Sequence, residues 1–100
     1  MAFSPDTELQ RIQTFVLSYL QDEPVTVILF GSRARGTAHR GSDVDIGLIP
    51  HGEVNSKTLT LLREGLEEFA TPWIIELVDI SKTDESFRSH AMREGIIWKE

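Results

Sequence analysis

The chain has 100 residues, no cysteine and a formal net charge of -6. That length buries one core with little surplus, so a single domain over residues 1–100 is expected, and the lack of cysteine excludes disulfides and Cys-based zinc sites. The acidic balance argues against a general nucleic-acid binder. The apolar stretches fall far short of the ~20 residues a membrane span needs, and no basic region leads into an apolar run at the N-terminus, so a soluble cytoplasmic protein is expected.

Ser4-Pro5-Asp6 is a helix start: a capping serine, proline at the first helical position, then an acid at the positive end of the dipole. Leu9, Ile12, Val16, Tyr19 and Leu20 recur at helical spacing, which predicts a helix to about Gln21 with its apolar stripe on a sheet. Val25 to Phe30 is a β-branched and aromatic run between Pro24 and Gly31, which predicts a buried strand. Gly31 frees the backbone to turn and lets a ligand come close. Ser32 adds a hydroxyl that can donate to a phosphate oxygen, and a short helix is expected to begin there. Arg33, Arg35, His39 and Arg40 make this one segment basic, which suits a single small polyanion.

Asp43 to Ile49 alternates. Asp43, Asp45 and Gly47 fall on one strand face, with Val44, Ile46 and Leu48 on the other, core-facing side. Two adjacent carboxylates repel and are stabilised best by a cation. Hard oxygen ligands so placed suit Mg²⁺, which takes one or two carboxylates plus substrate phosphates; two such ions about 3.5–4 Å apart would clamp an in-line displacement at phosphorus. A Gly-Ser pair alone is an ordinary turn, and Asp-x-Asp alone an ordinary solvated strand face. Together, at fixed spacing, they arise by chance on the order of once per 10⁵ starting points. Gly31 and Gly36 have the glycine spacing of a Walker A loop, but Thr37-Ala38 stands where Lys-Ser/Thr is required, and no Gly-x-Gly-x-x-Gly is present.

Pro50-His51-Gly52 ends this strand, and His51 reads as a solvated turn histidine. Ser56 is expected to cap a helix to about Phe69, with Leu59, Leu62, Leu66 and Phe69 on one face. Gly65 within it costs roughly 1 kcal/mol relative to alanine and suggests a close approach of helix and sheet. Thr71-Pro72 breaks the helix, and Trp73 to Ile80 reads as a third strand. Glu76, amid that apolar run, is expected to be a buried charge in need of a reason. Asp79, three positions on, points to the opposite face and reads as a strand-end turn acid. Phe87, Ala91 and Met92 mark a last short helix stopped at Gly95, and Ile96-Ile97-Trp98 is a fourth strand, a packing plug or an association surface.

Gly31-Ser32, ten residues, then Asp43-Val44-Asp45 resembles the signature of the DNA polymerase β-like nucleotidyltransferase superfamily. The Gly-Ser-Arg-Ala-Arg-Gly form on so short a chain is similar to the minimal nucleotidyltransferases (MNT), commonly the antitoxin partner of a HEPN protein. The resemblance implies an α/β fold, a small mixed β-sheet packed with helices. It implies ATP bound at Gly31, Ser32 and Arg33, and Mg²⁺ held by Asp43, Asp45 and a third carboxylate that also helps take the acceptor's proton, Glu76 in preference to the alternative Asp79. The usual third residue is aspartate; glutamate moves the carboxylate by about one bond length, and catalysis is sensitive to ~1 Å misplacement, so weakened turnover is expected. The implied reaction is transfer of AMP to a hydroxyl, with a tyrosine of the HEPN partner as acceptor. Two rival readings stay open: a subunit that neutralises its partner by binding alone, and an antibiotic-type small-molecule nucleotidyltransferase whose acceptor site lies on another subunit. Neither nucleic acid nor membrane is an expected partner; a homo- or hetero-oligomer is.

Overall fold

A computed structural model describes residues 4–38 and 43–100. α1 (Pro5–Leu20) begins as the sequence dictates, with the Ser4 hydroxyl accepting from the Thr7 amide and acids in the first turn. β1 (Val25–Phe30) follows, then a single turn, α2 (Ser32–Arg35), then β2 (Val44–Pro50). α3 (Ser56–Glu68), β3 (Ile75–Asp79), a 3₁₀ turn at Ile80–Lys82, α4 (Glu85–Glu94) and β4 (Ile96–Lys99) complete the order. Among the described residues, no helix is long and apolar enough to cross a membrane.

Two boundaries differ from expectation. Asn55, not Ser56, caps α3: its carboxamide oxygen accepts from the Lys57 and Thr58 amides, and Ser56 becomes the first helical residue. The third strand is shorter than Trp73–Ile80. At its far end the Asp79 carboxylate accepts from the Ser81 amide, which turns the chain into the 3₁₀ segment. At its near end Trp73 lies in a bend ahead of the first paired residue, Ile75, with its ring buried in the main core on the same side as Ile75 and Leu77.

The sheet order is β3-β2-β1-β4. β1 is antiparallel to both β2 and β4, and β2 is parallel to β3, which gives the expected mixed sheet. Of the readings open for Ile96–Trp98, the strand is the one adopted.

The two sheet faces are unequal. Val25, Val27, Leu29, Val44, Ile46 and Leu48 meet Ile12, Val16 and Leu20 of α1 and Leu62 and Leu66 of α3 in the main core. Each fully buried side chain of this kind contributes roughly 1.5–3 kcal/mol. The opposite face carries a small second cluster of Ile28, Ile80 and Ala91, flanked by Phe30 and Ile49. Among the described residues α4 and the 3₁₀ turn cover it, through Ala91 and Ile80, and part of that face stays open. Gly65 does allow a close approach, but to α1 and not to the sheet: a β-carbon there would stand 2.8 Å from Phe15 Cζ.

Candidate active site

The alternation of β2 decides where its carboxylates go. Because Val44, Ile46 and Leu48 enter the main core, Asp45 projects from the opposite, thinly covered face. Ile75 and Leu77 pack toward the main core, so Glu76 projects to the same side as Asp45. The parallel register pairs Asp45 with Glu76, and the antiparallel register pairs Asp45 with Phe30. Neighbouring strands run about 4.8 Å apart, so the two carboxylates are adjacent across the sheet. Asp43 precedes the strand by one residue and completes the acidic group.

Gly31 closes this group from above. It has φ 77° and ψ -158°, a conformation open almost only to glycine. A β-carbon on residue 31 would overlap Asp45 Oδ2. Glycine is thus required twice, for the backbone turn and for the contact that brings the Gly-Ser turn against the carboxylate. The turn is tied down by the Ala34 and Arg35 amides, both donating to the Gly31 carbonyl at 3.1 Å.

Burial raises the Asp45 pKa above the ordinary aspartate value; the charges of Glu76 and Asp43 raise it further, and Arg35 pulls the other way. The site therefore disfavours its own negative charge, which is the electrostatic condition for attracting a cation. Among the described residues no three His, Cys, Asp or Glu side chains form a ready-made metal site. The donor set fits a hard cation that takes one or two carboxylates and completes its shell from water and phosphate; it does not make an all-protein cage.

The remaining expected residues divide. Glu76 is exposed and not buried, because β3 is an edge strand on the open face. Asp79 lies on the other face and is engaged with Ser81 and with Lys82 at 3.9 Å, as a turn acid. Ser32 opens α2 beside Gly31, half-buried. Arg33 turns toward the main core, with its guanidinium carbon 3.8 Å from the centre of the Trp73 ring. Arg35, whose charge acts on Asp45, also meets Glu94 of α4 at 3.6 Å. His51 is exposed. His39 and Arg40 lie outside the described residues. Sequence reasoning missed Trp73 and Glu94 as neighbours of the site. A tryptophan directly after Thr71-Pro72 was a usable signal for the first; the second had none.

The profile of the family described as Polymerase beta, Nucleotidyltransferase matches residues 10–100. Over 93 residues the chain is 30% identical to the probable protein adenylyltransferase MntA of Haemophilus influenzae, an alignment that covers 93% of this chain and 80% of that protein. Among solved structures, it is similar to a chain of a toxin–antitoxin complex crystallised with AMP-PNP, with a TM-score of 0.64 and 24% identity over 86% of this chain and 71% of that one. It is also similar to a chain of the complex of tri-AMPylated Shewanella oneidensis HEPN toxin with MNT antitoxin, with a TM-score of 0.60 and 18% identity over 89% of this chain and 70% of that one. At these identities the solved structures establish the fold: a mixed four-stranded sheet packed with helices.

Proposed function

The chain belongs to the polymerase beta nucleotidyltransferase family, and from that premise we propose that it transfers AMP from ATP to a tyrosine hydroxyl of a HEPN-type partner and thereby acts as its antitoxin. The observation that carries this reading is that Gly31 packs on the Asp45 carboxylate, which the strand register in turn sets beside Glu76. The relatives lend support: one is named a probable protein adenylyltransferase, and one fold neighbour is a complex with an AMPylated HEPN toxin. A cytoplasmic setting goes with the reading, since ATP is available there.

In this mechanism the β- and γ-phosphates lie at Gly31 and Ser32, where the Ser32 hydroxyl donates to a phosphate oxygen. Arg35, beside Asp45, offsets phosphate charge. The acceptor oxygen attacks the α-phosphorus, a new P–O bond forms, the bond to the bridging α–β oxygen breaks, and pyrophosphate leaves in line. Glu76 takes the proton released by the attacking hydroxyl, a role open to an exposed carboxylate that the acceptor can reach. Asp43, Asp45 and Glu76 would hold Mg²⁺, as one or two ions, which neutralises phosphate charge and stabilises the leaving pyrophosphate.

The test is incubation of the chain with a HEPN-type partner protein, ATP and Mg²⁺, read by intact mass and peptide mapping. The proposal requires a mass gain of whole AMP units on a tyrosine peptide of the partner, absent with Asp43→Asn/Asp45→Asn. An unmodified partner in a stable complex would replace it with neutralisation by binding alone.

A further inference from the structure

Arg33 follows Ser32 directly, yet its side chain leaves the site. It lies over Trp73, which is 7% exposed and part of the main core, whereas Asp45 and Glu76 project from the opposite sheet face. Trp73 occupies the bend that leads into β3. The next residue, Ile74, accepts the Val44 amide on its carbonyl at 2.8 Å, and the pairing continues as Val44 with Ile75 and Asp45 with Glu76. The Arg33–Trp73 contact therefore fastens α2 to the point where both carboxylate-bearing strands begin. A guanidinium over an indole face is drawn by the ring quadrupole, more strongly where water is excluded. The indole is itself held in the core, so the stack fixes where the Gly-Ser turn sits.

We infer that Arg33 is a positioning residue: acting through Trp73, it sets Gly31 and Ser32 at a fixed distance from Asp45 and Glu76, and it does not itself bind the nucleotide phosphates. Arg33 and Arg35 are two residues apart on one helical turn, which points them about 200° apart. Arg35 faces the carboxylates and Arg33 faces the core. The inference rests on the nucleotidyl-transfer reading and deepens it, by dividing the two arginines of the motif into a site group and a brace.

The experiment compares Arg33→Ala, Trp73→Leu, their double variant and Trp73→Phe with the unaltered chain. It measures AMP transfer to the partner at saturating ATP, ATP affinity by calorimetry, and melting temperature. Each disruptive substitution is expected to lower the transfer rate about tenfold or more, because the reacting groups tolerate little misplacement. The double variant should be no slower than the worse single one, ATP affinity should stay within about twofold, and Trp73→Phe, which keeps an aromatic face under the guanidinium, should recover most of the rate. A merely stabilising stack would lower the melting temperature without this split between rate and affinity. Strong loss of ATP affinity in Arg33→Ala but not in Trp73→Leu would make Arg33 a phosphate ligand and overturn the inference. Unaltered transfer in all variants would overturn it as well. Failure of the parent reading is separable, since it shows as no transfer by the unaltered chain.

Discussion

Replacing Gly31 with alanine tests the joint between the phosphate turn and the carboxylates, and Gly36 provides its control. Both glycines have positive φ, 77° and 75°. Gly31, with ψ -158°, lies in a region that is essentially closed to other residues, and holding alanine there costs about 1–3 kcal/mol. Gly36, with ψ 14°, is left-handed helical, and alanine there costs roughly 1–2 kcal/mol. The backbone strain of the two substitutions is therefore comparable, at about 4–8 °C of melting temperature per kcal/mol in a domain of this size. Their surroundings differ. Among the described residues nothing lies within 4 Å of a β-carbon at 36, while one at 31 overlaps Asp45 Oδ2 and must push the carboxylate aside. A displacement near 1 Å costs about 100-fold in rate. Gly31→Ala should thus lose about two orders of magnitude in AMP transfer where Gly36→Ala, with similar backbone strain, loses little. Thermal melts and intact-mass transfer assays on the same preparations give both numbers. Equal transfer by the two variants would refute the reasoning, because strain alone would then account for both.

Asp45→Asn, in chelator-treated buffer, should raise stability at pH 7. Its pKa is raised in the fold, so the ionised form is penalised there, and wild-type stability falls as pH rises through that raised value. The gain should vanish as pH drops below the ordinary aspartate range; a loss of stability at pH 7 would contradict the electrostatics described. Glu8 behaves oppositely. Burial raises its pKa, but hydrogen bonds from Thr71 and Arg11 and the charge of Arg11 outweigh this and lower it. Glu8→Gln should therefore be destabilising at neutral pH, with the difference from wild type shrinking on acidification through the lowered value; urea melts across pH would show it. Glu76→Gln should slow transfer by about 10²-fold or more as a lost proton acceptor, while Glu76→Asp should retain or raise the rate by shortening the reach of the carboxylate. A faster Glu76→Gln would exclude Glu76 from proton transfer.

Much of this was legible because local rules suffice for it. Period 2 in residues 43–49 places Asp45 opposite Val44 and Ile46 whatever the sheet order, and Ser4-Pro5-Asp6 has few uses other than opening a helix. What escaped depends on partners far apart in the chain. Glu76 looked buried because its flanks are apolar, yet β3 is an edge strand and its outer face is open, and only the strand order reveals that. Asn55 and Ser56 both carry a capping oxygen, and a one-residue shift in where the helix begins selects between them. Arg33 and Arg35 are the same residue type in the same motif; the aromatic ring that claims one of them stands 40 residues on, in the bend before β3. Trp73 read as strand because strands and buried bends draw on the same apolar residues.

The central claim is that the Gly31–Asp45–Glu76 arrangement directs attack to the α-phosphorus of ATP. The most direct measurement supplies the chain and its partner protein, with Mg²⁺, with ATP labelled at the α-phosphate in one reaction and at the γ-phosphate in another. The account requires the partner to take up the α label and not the γ label, with release of pyrophosphate, and with uptake lost in Asp45→Asn. Transfer of the γ label, or α labelling undiminished in Asp45→Asn, would contradict it.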